Sequence, residues 1–271
     1  QDGFVSIEVS PLLAANTAGT ISEAQELYAR VNRKNVMIKI PATVEGIPAV
    51  EEVISKGIPV NVTLIFAVER YREVMEAYLT GLDRRAEAGL PLNAVASVAS
   101  FFVSRVDSAV DKRLEQMIAA ASDRSVQELY RSLLGKSAIA NSKAAYGAFE
   151  ETFAADRFRA LKRAGAQSQR PLWASTGTKN PGYSDVLYVE TLIGPNTVNT
   201  IPPPTLDAFR DHGVAELSLT EGLDESLKLL ERLAFAGIAL AEVTTELEKA
   251  GVELFAQAYQ KIIERIKDKR K

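Results

Sequence analysis

The chain has 271 residues, 46% hydrophobic and 25% charged, a balance that suits one sizeable core and fits neither a disordered nor a fibrous class. Its net charge is -3 with Lys and Arg spread along the sequence, which leaves no basic face for nucleic acid, and no apolar run approaches the ~20 residues of a membrane span. Zero cysteines exclude disulfides and thiol nucleophiles, and a single histidine, His212, excludes an imidazole-rich zinc centre. Neither a metal nor a cofactor is expected. The start of the chain lacks the basic-then-apolar pattern of a secretory leader, so the cytoplasm is the expected location.

From the N-terminus onward, short runs rich in Val and Ile alternate with longer stretches of helical period. The first predicted strand covers 4–9. A helix over 22–32 follows, opened by Ser22 as N-cap and carrying Ala24, Leu27 and Val31 on one face. Residues 36–40 and 59–66 are the second and third strands, then a helix over 69–88 and a fourth strand over 94–103. A helix over 105–121 opens a stretch of extra helices that occupies about 106–165. Weaker strands stand at 171–175 and 197–201. The last segment, about 206–268, is helical: apolar residues recur over 223–236, Gly237 interrupts, and the pattern resumes over 239–249 and 252–266. The basic tail, 267–271, reads as a solvated helix end beside the negative pole of the helix dipole.

Near-continuous apolar strands separated by amphipathic helices define an α/β protein with a parallel sheet covered by helices. No Gly-x-Gly-x-x-Gly or Walker-type loop follows a strand, which favours a closed barrel over a nucleotide-binding open sheet. We therefore expect a TIM (β/α)8 barrel as a single domain over 1–271. Six strands fall two short of eight, and the first begins almost at residue 1, so the expectation is a barrel that lacks its first two strand-helix units. The partners left open are a second copy of the chain or a chain that supplies those units.

The chemistry sits at polar residues inside apolar strands. Lys39 lies in Val-Met-Ile-Lys-Ile (36–40) and is followed by Pro-Ala-Thr. An ammonium among hydrocarbon must find a partner or lose its proton, and a neutral amine is a nucleophile. Side chains alternate faces along a strand, so Phe4, Ser6 and Glu8 share one face, Met37 and Lys39 another, Asn61, Thr63 and Ile65 a third, and Ala96, Val98, Ser100 and Phe102 a fourth. These faces are expected to converge inside the barrel near the C-terminal strand ends. Glu8 is either the counter-ion of Lys39 or a proton-transfer and water-positioning group. Asn61 and Thr63 are either site residues or satisfied barrel-layer polar groups. Arg105, just past the fourth strand, and the Ser-Thr-Gly-Thr-Lys-Asn loop (175–180) with Lys179 offer hydroxyls, backbone amides and two cations; they suit a phosphate, or else are ordinary surface charges. A free amine is needed near neutrality. Desolvation is thus expected to outweigh the attraction of Glu8, or a water to separate the two groups, and a direct ion pair would count against that expectation.

The strings Val-Ser-Ile-Glu-Val (5–9), Met-Ile-Lys-Ile-Pro-Ala-Thr-x-Glu-Gly (37–46), Asn-Val-Thr-Leu-Ile-Phe (61–66) and Ser-x-Phe-Val-Ser-Arg-Val-Asp (100–107) resemble successive strands of transaldolases. Residues 173–180 and 196–200 resemble later ones, and the Thr-Gly-Thr-Lys-Asn form of the loop points to the bacterial and plant-type branch. The resemblance implies a class I aldol transfer in the non-oxidative pentose phosphate pathway. Lys39 would form a Schiff base with sedoheptulose 7-phosphate or fructose 6-phosphate. The dihydroxyacetone unit would then pass to glyceraldehyde 3-phosphate or erythrose 4-phosphate. It further implies that Glu8 and Thr63 hold a proton-shuttling water, that Asn61, Ser100 and Ser175 contact the sugar, that Phe102 shapes the pocket, and that Arg105, helped by Lys179, grips the phosphate. The family's acid-base aspartate would precede Gln1; Asp2 stands before the first strand and does not inherit the role. On that expectation the chain alone would form the imine without efficient turnover. The competing readings are a Schiff-base fructose-6-phosphate aldolase that releases dihydroxyacetone, and a non-catalytic sugar-phosphate-binding remnant of a barrel.

Overall fold

The computed structural model describes residues 3–269. Asp2 and the last two residues of the basic tail lie outside them. The chain opens with strand β1 (Val5–Glu8), a 3-10 turn at Pro11–Leu13 and helix α1 (Thr17–Val31), then β2 (Val36–Pro41), α2 (Gly46–Ser55), β3 (Val60–Ile65), α3 (Val68–Glu87) and β4 (Ser97–Phe102). Four helices follow without a strand: α4 (Ser104–Ala120), α5 (Arg124–Arg131), α6 (Ser137–Ala154) and α7 (Asp156–Arg163). Strand β5 (Arg170–Ala174), the short helix α8 (Leu187–Glu190) and β6 (Val198–Asn199) complete the sheet. Helices α9 (Pro203–His212), α10 (Leu223–Phe235) and α11 (Leu240–Asp268) close the chain.

The six strands pair in sequence order and are all parallel, each to the next. The sheet is curled: the Asn61 amide of β3 reaches across β2 to donate to Ser6 Oγ of β1 at 3.0 Å. The outer face of the central strands is aliphatic, and Ile38, Ile40, Val60, Val62, Ile65 and Phe101 are fully buried beneath the helices. Each such side chain contributes roughly 1.5–3 kcal/mol on leaving water. Helix α3 covers them with Tyr71, Val74, Tyr78 and Leu82, an i, i+3, i+4 stripe. Among the described residues the sheet does not close on itself, and Val5 on the outer strand β1 is 65% exposed. No helix among these residues is long and apolar enough to cross a membrane.

Two local expectations are corrected, at the start of α1 and at Ile65. Helix α1 starts at Thr17, not Ser22, because Asn16 is its N-cap and accepts a hydrogen bond from the Gly19 N–H at 2.9 Å. The pattern over 239–266 forms one unbroken helix that passes through Gly251. Ile65 does not share a face with Asn61 and Thr63. The pairing of β3 with β4 shifts between Val62 and Ile65, Leu64 takes a left-handed backbone (φ 61°), and this bulge turns Ile65 to the outer, helix-covered side.

Candidate active site

The concave face of the sheet encloses a cavity of about 640 Å³. Its lining runs strand by strand: Phe4, Ser6 and Glu8 from β1 and its approach, Met37 and Lys39 from β2, Asn61 and Thr63 from β3, and Val98, Ser100 and Phe102 from β4. Arg170, Leu172 and Ala174 of β5 and Thr197, Val198 and Thr200 around β6 finish it. The period-two alternation expected for each strand thus brings every polar strand residue singled out from the sequence into one space. The parallel register sets Lys39 beside Glu8 on one neighbour and Asn61 on the other.

Lys39 and Glu8 form a direct ion pair, Nζ to Oε2 at 3.7 Å, with side chains 24% and 31% exposed. This corrects the expectation of separated groups: parallel pairing places Glu8 and Lys39 at the same level on adjacent strands. The contact is longer than a good charge-assisted hydrogen bond. Burial of Glu8 raises its carboxyl above the ordinary glutamate range, outweighing the opposing pull of Lys39.

Asn61 is held from both sides. Its amide donates to Ser6 Oγ, and its carbonyl accepts from Ser100 Oγ at 2.7 Å. Thr63 Oγ1 is fully buried and has no protein hydrogen-bond partner, an arrangement that calls for a water or a ligand hydroxyl. Across the mouth, Phe102 packs 5.1 Å from Phe66, centroid to centroid, and the Arg105 guanidinium lies over the Phe102 ring at 5.4 Å. Arg105 thereby emerges at the rim from the first turn of α4.

Ser175 ends β5 in a left-handed conformation (φ 59°), so that its carbonyl accepts from the Ser104 N–H at 3.1 Å and its hydroxyl meets Ser104 Oγ at 3.0 Å. The loop it begins is brought against α4 just before Arg105. Neither Ser175 nor Arg105 lines the cavity wall itself, and Lys179 is exposed and lines a second hollow with Asp107, Asp111, Tyr183 and Tyr188. The loop runs on along α4, where Tyr188 Oη donates to Asp107 and Tyr183 Oη to Asp111, both at 2.8 Å.

One contact was not anticipated. The Phe255 ring of α11 lies 5.3 Å from Lys39 Nζ and lines a small hollow together with Val252, Glu8, Pro41 and Leu64. Nothing in an apolar helical stripe separates such a residue from one that merely packs. Ser6, which shares a face with Glu8, was assigned no role from the sequence, though its hydroxyl anchors Asn61.

A curled parallel α/β sheet covered by helices, with an amine–carboxylate pair and four hydroxyl or amide groups on its inner face, belongs to the barrel type of enzyme scaffold. Comparison with known proteins takes this further. The family described as Transaldolase/Fructose-6-phosphate aldolase matches residues 1–266. The chain is 49% identical over 269 residues to a transaldolase of Saccharopolyspora erythraea, covering 99% of this chain and 71% of that protein. It is 51% identical over 264 residues to a transaldolase of Mycolicibacterium smegmatis, at 97% and 69% coverage. To transaldolase 1 of Streptomyces coelicolor it is 52% identical over 264 residues, at 97% and 67%. The chain belongs to the transaldolase/fructose-6-phosphate aldolase family and is an enzyme of the transferring kind.

Proposed function

We propose that this chain transfers a dihydroxyacetone unit between sugar phosphates through a Schiff base on Lys39. The observation that carries the reading is the position of Lys39 Nζ: inside the concave cavity, in contact with Glu8, with Asn61, Thr63 and Ser100 in the same space. The amine adds to the ketone carbon of sedoheptulose 7-phosphate or fructose 6-phosphate, and loss of water gives a cationic imine. That cation accepts the electron pair of the breaking carbon–carbon bond, so an aldose phosphate leaves and an enamine stays on Lys39. An acceptor aldose phosphate then takes up the enamine carbon, and water frees the new ketose.

Glu8 and Thr63 hold the water that carries protons during imine formation. The raised carboxyl of Glu8 and the unpartnered hydroxyl of Thr63 support this pairing. Asn61, Ser100 and Ser175 bind donor hydroxyls, Phe102 shapes the pocket, and Arg105 at the rim binds the phosphate. Lys179 adds to the field at that rim without entering the cavity. The curled sheet is read as part of a (β/α)8 barrel; among the described residues its edge at β1 is unpaired and Val5 there is exposed, which supports this reading. The relatives carry the name transaldolase, which favours transfer over the aldolase alternative.

Borohydride reduction in the presence of fructose 6-phosphate is expected to add mass covalently at Lys39, and Lys39→Met to show no adduct. Labelling at another lysine would overturn the assignment.

A further inference from the structure

Helix α11 is anchored across the C-terminal ends of the inner strands. Gly251 is buried against Leu64, so closely that a Cβ there would stand 2.9 Å from Leu64 Cδ2. The left-handed Leu64 of the β3 bulge is therefore the seat of the helix. One turn on, Phe255 is half-buried and is the side chain of α11 that meets Lys39 Nζ. Beyond it, Tyr259, Ile262 and Ile266 are exposed, so the contact is made where the helix leaves the body of the protein.

We propose that Phe255 is a specificity-determining residue that sets the partition of the Lys39-bound three-carbon unit between transfer to an aldose and loss to water. The inference rests on the Schiff-base reading above. In the wasteful branch the enamine carbon takes a proton, which regenerates the cationic imine. Water then adds to the imine carbon while the C=N electron pair moves to nitrogen. The C–N bond finally breaks, giving free amine and dihydroxyacetone. The net change is enamine plus water to amine plus ketone.

The Phe255 ring obstructs that branch at its first step. Both branches end with water adding to an imine, so the partition is decided while the enamine stands: its carbon either takes a proton or is taken up by the aldose. The ring lies over Lys39 Nζ and keeps water from that side, so the proton has to arrive through the cavity that lines the other side of Lys39, the same space that an aldose fills and dries.

The test feeds fructose 6-phosphate to the full chain with and without erythrose 4-phosphate and reads free dihydroxyacetone against transferred product as a ratio. Phe255→Ala is expected to raise that ratio about tenfold, and Phe255→Trp, which keeps a ring over the nitrogen, to leave it near that of the parent. Leu254→Ala, on an exposed position of the same helix, should leave it unchanged. Borohydride trapping at Lys39 is measured in parallel. Trapping in all variants with an unchanged ratio in Phe255→Ala overturns the proposal alone, whereas no trapping in the parent overturns the reading beneath it. A Phe255→Trp ratio as high as that of Phe255→Ala also overturns it.

Discussion

Replacing Asp107 with asparagine probes the link between α4, which presents Arg105, and the loop that leaves β5. Asp107 is 1% exposed; its carboxylate accepts from the Ala138 N–H at 2.7 Å and the Tyr188 hydroxyl at 2.8 Å. Burial pushes its carboxyl up from 3.8 to about 6, against the lowering effect of those two donors and with some help from the neighbouring Asp111. A carboxyl that holds its proton more tightly in the folded state contributes stability that is complete below its unfolded value and lost as pH rises through the folded one. Here the loss falls between about pH 4 and pH 7 and is worth about 3 kcal/mol. Asparagine cannot ionise, keeps an oxygen for Ala138, and meets Tyr188 with the hydrogen bond reversed. After allowance for the weaker neutral hydrogen bonds, Asp107→Asn should be about 1–2 kcal/mol more stable than the parent at pH 8 and no more stable near pH 4. Urea denaturation of both proteins across that range measures the difference. A difference that does not change with pH, or a variant that is less stable throughout, refutes the reasoning.

Glu8→Gln should separate stability from activity. The carboxyl of Glu8 is also raised by burial, so its ionised form weighs against folding above neutrality, and the variant should melt higher there while transferring about a hundredfold more slowly. A lower melting temperature together with lower activity would make Glu8 a structural counter-ion instead. Arg85, 7% exposed, donates to the carbonyls of Pro91 and Ser55 and joins the end of α2 to the turn after α3. Arg85→Leu leaves both carbonyls without donors and should cost about 2–4 kcal/mol in a urea titration; under about 1 kcal/mol would mean that water replaces the guanidinium.

The strands were legible because β2 and β3 carry Val and Ile on their outer faces, while the inner faces of β1 to β4 each place at least one polar residue in an otherwise apolar run. That alternation of faces brought Glu8, Lys39, Asn61, Thr63 and Ser100 together before any coordinates. The start of α1 was missed because its first turn is polar and glycine-bearing, so only the cap at Asn16 announces it. The bulge was invisible because Leu64, Ile65 and Phe66 form an apolar run after Thr63, in which a change of face leaves no mark in the sequence. Phe255 was invisible for a related reason: a helical stripe tells which side is buried, not what lies beneath it. The course of the loop that carries Lys179 was not legible because the direction of a loop after its first residue depends on tertiary anchors, here Tyr183 and Tyr188 on the two aspartates of α4.

The extra residue at Leu64 splits β3 into two functional halves with opposite phase. Upstream, odd positions serve chemistry; downstream, Ile65 serves architecture, and Leu64 itself becomes a footing for the last helix. Deleting Leu64 would therefore leave plain alternation, with Thr63 inward and Ile65 outward as before, and the chamber wall would keep its polarity. What it would take away is the footing of Gly251, and with it the hold on the aromatic ring over Lys39.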